Sequence, residues 1–143
     1  MGNLKCAIDP QQTYYEFGLA GGAVVPGGAV VETTEYDGVQ KTWVAASAEA
    51  QVIAGVATGV PTGGGTVNTY AANDAMQIYK MGGEAIVLLA GSVTDLKIPL
   101  VINSSGLFTP ATTGTQTFNA VARELGSSGE YITVRLCTGK WVI

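Results

Sequence analysis

Along this chain apolar and polar residues alternate in short runs, and no apolar period of three to four residues persists over any long stretch. The clearest run is Tyr131-Ile132-Thr133-Val134-Arg135-Leu136-Cys137. Ile132, Val134 and Leu136 share one face and Tyr131, Thr133, Arg135 and Cys137 the other, the two-residue period of a half-buried strand. A Thr138-Gly139 turn is expected next, with Lys140-Trp141-Val142-Ile143 as a short last strand. Ile98-Pro99-Leu100-Val101-Ile102 reads as another strand, and Pro99, lacking an N–H, belongs at its start or on a sheet edge.

Turn residues punctuate the remainder roughly every 8 to 15 residues, close to the spacing of an all-β sandwich or barrel. Pro26-Gly27-Gly28 splits Ala23-Val24-Val25 from Ala29-Val30-Val31, and Asp37-Gly38 is a candidate two-residue hairpin turn. Gly82-Gly83 is a second hairpin candidate between residues 76–81 and 84–89, followed by Ser104-Ser105-Gly106 and Ser127-Ser128-Gly129. Helix formers gather only in residues 45–51, with Ser47 as a cap, and in residues 119–125, enough for a turn or two. Residues 59–66, with Gly63-Gly64-Gly65, read as a loop or flap. The pattern predicts an all-β chain, a single-domain β-sandwich or small barrel with at most one short helix.

Residues 1–18 follow neither period. Asp9-Pro10 and Gln11-Gln12-Thr13 lead into Tyr14-Tyr15-Glu16-Phe17, which reads either as an extended N-terminal arm whose aromatics need a partner surface or as an ordinary first strand. With the arm as residues 1–18, the β-rich domain is residues 19–143.

Composition sharpens this picture. At 143 residues the chain has the length of one domain and can bury a core without a metal or disulfide staple. Charged residues are 13% of the chain against about 25% in an ordinary soluble domain, so part of its exterior is expected to face other protein. The net charge of −4 and the scattered basic residues exclude the clustered cations that nucleic acid or an anionic membrane requires. The longest smooth apolar stretch, residues 85–90, falls far short of the ~20 residues of a spanning helix. Met1-Gly2-Asn3-Leu4-Lys5-Cys6 lacks the apolar region of a secretory signal, so synthesis in a cytoplasm is expected. In such a reducing compartment Cys6 and Cys137 are expected as free thiols, with pairing within or between subunits as the alternative.

Candidate chemistry changes little. The absence of histidine removes Ser-His-Asp and Cys-His catalysis and most zinc and iron sites. Asp74, Glu84 and Asp95 share one stretch but each falls beside a turn or loop, where solvated carboxylates are the plainer reading. Gly63-Gly64-Gly65 is not followed by the Gly-Lys-Ser/Thr of a phosphate loop. No catalytic, cofactor or metal residue is expected.

From residue 18 to residue 136 the chain resembles the capsid decoration (cement, head-stabilising) proteins of tailed phages. The phrases that carry the resemblance are Gly22-Ala23-Val24-Val25-Pro26-Gly27-Gly28-Ala29-Val30, Ile53-Ala54-Gly55-Val56-Ala57, and the strand–turn–strand around Gly82-Gly83. They continue in residues 100–109 through Ser104-Ser105-Gly106, and in residues 120–125 leading to Val134-Arg135-Leu136. Where many relatives read Gly-x-Ala, this chain has Asn119-Ala120-Val121-Ala122. The resemblance implies a β-tulip-type fold added to the outside of the expanded head as a homotrimer. There it would bind the major capsid protein and clamp adjacent subunits against internal DNA pressure. Tyr14, Tyr15 and Phe17 are then the expected contacts with a capsid subunit or a sister copy, with strand addition by the arm as one mode. The alternative is another virion structural part, a tail-tube or head-fibre component. A carboxylate-dependent hydrolase and a lectin-like adhesin are more distant readings.

Overall fold

The computed structural model describes residues 14–33, 41–59, 61–62, 66–67, 69–112 and 114–142. All regular structure among them is strand: β1 (Tyr15–Ala20), β2 (Ala29–Glu32), β3 (Thr42–Ala45), β4 (Gly55–Ala57), β5 (Pro61–Thr62), β6 (Thr66–Val67), β7 (Ala75–Lys80), β8 (Glu84–Leu88), β9 (Leu100–Ile102), β10 (Phe108–Pro110), β11 (Thr115–Ala122) and β12 (Tyr131–Val142). The all-β expectation holds, and the small barrel is realised together with a sheet. β1, β3, β2, β4 and β7 close into a barrel in that order, and β10, β9, β11, β12 and β8 form a five-stranded sheet. Among the described residues β5 and β6 pair only with each other.

The barrel closes because β1 pairs with β3 on one side, parallel, and with β7 on the other, antiparallel. Alternate residues of each strand fill its interior, where Val30, Trp43, Ala57, Met76 and Ile78 pack with Ala20, Val24 and Tyr70. Trp43 is wholly buried, and the space for its ring comes from Gly18. A β-carbon on Gly18 would stand 2.5 Å from the indole Cζ3 and 2.6 Å from the Lys41 carbonyl. The Tyr70 hydroxyl, beside this apolar interior, donates to the Thr58 carbonyl at 2.9 Å, which satisfies its polar end.

The opposite positions of the same strands point outward, and on β2 and β4 that outer wall lies under the second sheet. Ala29 and Val56 from the barrel meet Ala85, Val87, Leu100, Phe108, Ala120, Ile132, Val134 and Leu136 from the sheet in the largest core cluster. The far face of the sheet carries a smaller cluster of Val101, Ala111, Phe118 and Trp141, with Ile98, Val121 and Cys137 against it.

Several local expectations are corrected. Residues 76–81 and 84–89 are strands, but they do not pair across Gly82-Gly83: β7 stays in the barrel with β1 and β4, while β8 pairs with β12. The diglycine is the point where the chain leaves the barrel for the sheet. Thr138-Gly139 is not a turn, since β12 runs unbroken through it to Val142. Gly139 serves space instead, because the Phe118 ring lies over it and a β-carbon there would come within 2.5 Å of Cζ. Neither candidate helix forms. In the first, the Gln51 side chain accepts from the Ser47 and Ala48 N–H groups, an alternative to the helical ladder, and residues 119–122 belong to β11. Cys137 is disulfide-bonded rather than a free thiol, so side-chain placement overrides the inference from compartment. Cys6, the other cysteine, lies outside the described residues, as do Asp37-Gly38 and Gly63-Gly64-Gly65.

Candidate functional site

The three aromatic residues singled out in the sequence stand at the mouth of β1. The expected arm boundary at residue 18 falls inside this strand, and residues 1–13 lie outside the described residues. The Tyr14 carbonyl accepts from the Lys80 N–H at 2.8 Å, continuing the β1–β7 ladder by one residue. Tyr15 and Phe17 take the outward positions of β1, since Gly18, next after Phe17, faces Trp43 and the strand alternates. They are 51% and 74% exposed, large apolar surfaces that the barrel itself does not cover.

Tyr15 lies directly opposite Tyr79 of β7, and Tyr79 in turn lies opposite Val56 of β4. The outer wall of the barrel therefore carries one apolar row, buried at Val56, half-buried at Tyr79 and exposed at Tyr15. The Tyr15 and Tyr79 rings are 5.4 Å apart at 38°, within the range of favourable aromatic pairs. Burial raises the Tyr79 pKa above its ordinary value, with smaller contributions from Tyr15 and Tyr70.

Where this row meets the second sheet the surface is hollow. One depression of about 220 Å³ is lined by Tyr15, Tyr79, Glu84, Ala85, Ile86 and Thr133. It adjoins a second of about 210 Å³ between Gly27, Gly59, Tyr79, Ile86 and Tyr131. A third, of about 330 Å³, opens beside Tyr14, Tyr15, Lys80 and Met81. Ile86 and Tyr131 are each 46% exposed at the rim. Sequence reasoning found Tyr14 and Tyr15 but missed Tyr79, Ile86 and Tyr131. They occupy ordinary strand positions on β7, β8 and β12, and only packing brings them together.

The edge of β8 adds backbone chemistry to this apolar rim. Ile86 is opposite Thr133 of β12, and Thr133 spends its N–H on Glu124 Oε2 and its carbonyl on the Arg123 N–H, both away from β8. The pair is thus of the non-hydrogen-bonded kind, so the N–H and C=O of Ile86 point away from β12. The same parity holds for Glu84 opposite Arg135. Further along, the edge is closed: Leu88 donates to the Gly27 carbonyl at 3.0 Å and Ala90 to the Phe108 carbonyl at 2.7 Å. At Glu84 and Ile86 no backbone partner occurs among the described residues.

The three acidic residues of the hydrolase reading are not brought together. The Asp74 carboxylate accepts from the Ala71 N–H and that of Asp95 from the Lys97 N–H, each tying its own turn, while Glu84 stands at the start of β8. What the surface offers is an aromatic rim beside a short length of strand edge without a backbone partner among the described residues.

No protein-family model matches the chain, and no curated protein is similar to it in sequence. Among solved structures its fold is similar to that of the N base of the head fibre protein gp8.5 of bacteriophage phi29. The TM-score is 0.62 at 14% identity, over 88% of this chain and 95% of that one.

Proposed function

We propose that this protein is a structural part of a phage head, a decoration protein that binds the outside of the expanded shell as a homotrimer and clamps neighbouring capsid subunits. The observation that carries the reading is the shared fold with a head-fibre base over nearly the whole of both chains. A surface poor in charge, with exposed Tyr15 and Phe17, supports attachment to protein rather than to nucleic acid. Many modest contacts repeated over a lattice reach high occupancy through effective concentration, so no single deep pocket is needed. No step of this role requires catalysis or a cofactor.

The same fold likeness favours one second reading, in which the chain is the base of a fibre and carries a further part outward. Both readings place it on the head. Cosedimentation of the full chain with expanded heads lacking it, and with unexpanded proheads, tests the proposal. Saturable binding to expanded heads alone is the expected result. Failure to bind either particle would overturn both readings, and rings or tubes of the protein alone would favour a tail component. A bound protein that recruits a second virion component would favour the fibre base.

A further inference from the structure

We infer that the two adjoining hollows between the barrel wall and β8 form a binding site for an uncharged oligosaccharide, one sugar ring to each hollow. The site is separate from attachment through Phe17, which lines neither hollow. Three properties of the lining define the ligand. The first is a run of phenol rings. Tyr15 and Tyr79 line one hollow, Tyr79 and Tyr131 the other, and Tyr79 and Ile86 are common to both. Aromatic faces carry partial negative charge and attract the polarised C–H groups on the face of a sugar ring. The second property is a set of uncommitted polar groups in the same place. The Glu84 carboxylate and the Thr133 hydroxyl have no hydrogen-bond or ion-pair partner among the described residues, and neither do the N–H and C=O of Ile86. They supply acceptors, a donor, and a hydroxyl that is both, the complement of a ring of sugar hydroxyls. The third is size: hollows of about 220 and 210 Å³, side by side, together reach the roughly 300–1,000 Å³ of small-ligand sites.

The mixture of groups is what selects a sugar. An aliphatic group seated here would cover the rings but strip water from Glu84, Thr133 and the Ile86 backbone without replacing it, which is unfavourable. A small ion would satisfy the polar groups and leave the rings in water. A pyranose ring is apolar on its C–H face and polar around its rim, so it meets both kinds of group at once, and a second linked ring reaches Tyr131. Charge narrows the choice further. Glu84 is the one ionised side chain among the described residues lining either hollow, and it repels carboxylated, sulfated or phosphorylated sugars. It is also the one carboxylate there, whereas glycoside hydrolysis commonly uses two that flank the bond, so the site holds its ligand without cutting it. The platform is preformed. Tyr15 and Tyr79 stand on paired strands of a closed barrel with 5.4 Å between ring centroids, so little side-chain freedom is lost on binding.

Calorimetric titration of the full-length protein with cellohexaose, maltohexaose and chitohexaose tests the inference, with hexagalacturonate as the charged control and glucose as the single ring. At least one neutral hexamer should bind saturably with a Kd of about 1 mM or tighter, and at least about tenfold more tightly than glucose or hexagalacturonate. Tyr131→Ala, at a half-exposed position, should weaken that binding at least about tenfold without lowering the urea midpoint. Glu84→Gln, which removes the charge and keeps the shape, should cut the preference over hexagalacturonate at least about threefold. Phe17→Ala should leave sugar binding unchanged. No saturable binding of any neutral hexamer at up to about 10 mM would overturn the inference. So would binding that Tyr131→Ala and Glu84→Gln both leave unchanged, since the sugar would then sit elsewhere, and so would equal affinity for hexagalacturonate. Every one of these outcomes is independent of head binding, which cosedimentation reads separately.

Discussion

The outer wall of the barrel exists in two conditions within one molecule. On β2 and β4 its apolar residues, Ala29 and Val56, are sealed under the second sheet. Past Tyr79 the same wall continues onto β1, where Tyr15 and Phe17 stand in water. The alternation is alike in both places, although β1 pairs parallel with β3 where β2 and β4 pair antiparallel with their neighbours. What differs is that the second sheet ends at β8, so the row outruns its cover. One half of the wall therefore stabilises the fold, and the other half stays exposed, the surface that the proposed head attachment would use.

The comparison can be broken most severely on the covered side. Val56→Asp would bury a carboxylate with no partner among aliphatic neighbours, and loss of more than about 3 kcal/mol of stability, or failure to fold, is expected. Chemical denaturation of soluble protein, or its absence from the soluble fraction, checks this. Leu136→Ala, on the sheet side of the same core, should cost about 3 kcal/mol by urea titration. On the open side Phe17→Ala should change stability by no more than about 0.5 kcal/mol while lowering head affinity by roughly 30-fold. If that variant proved as destabilised as Leu136→Ala, the division between holding and binding halves would fail.

Tyr79, at the seam, makes the subtlest prediction. Its pKa is raised in the folded state, chiefly by burial. The folded protein thus holds the phenol proton more tightly than the unfolded chain, and the associated stability is complete below the unfolded pKa. It is lost as pH rises above about 10 toward the folded value. Tyr79→Phe should flatten the alkaline limb of a stability–pH curve and leave the neutral region nearly unchanged.

How much of this was legible beforehand varies from residue to residue. The strand at residues 131–137 was readable because Ile132, Val134 and Leu136 alternate with polar neighbours, and the turn at Ser104-Ser105-Gly106 because Asn103 and Gly106 are turn formers. There the Asn103 side chain accepts from the Ser105 and Leu107 N–H groups, closing the β9–β10 hairpin. Gly139 and Gly82-Gly83 misled because glycine has more than one use. A missing side chain permits a turn, but it also makes room for a ring, and the sequence does not say which.

By itself the sequence determined strand as the secondary structure, the alternating faces of residues 131–137, and the absence of histidine chemistry. These follow from two-residue periodicity and from side-chain inventory, which are local properties. The tertiary structure alone decided that β7 and β8 part company at Gly82-Gly83, that Tyr15, Tyr79, Ile86 and Tyr131 line two adjoining depressions, and that β8 has no backbone partner at Glu84 and Ile86 among the described residues. Those outcomes depend on which strands pair across long stretches of chain. An alternating pattern specifies a buried face for each strand but not the neighbour that will bury it.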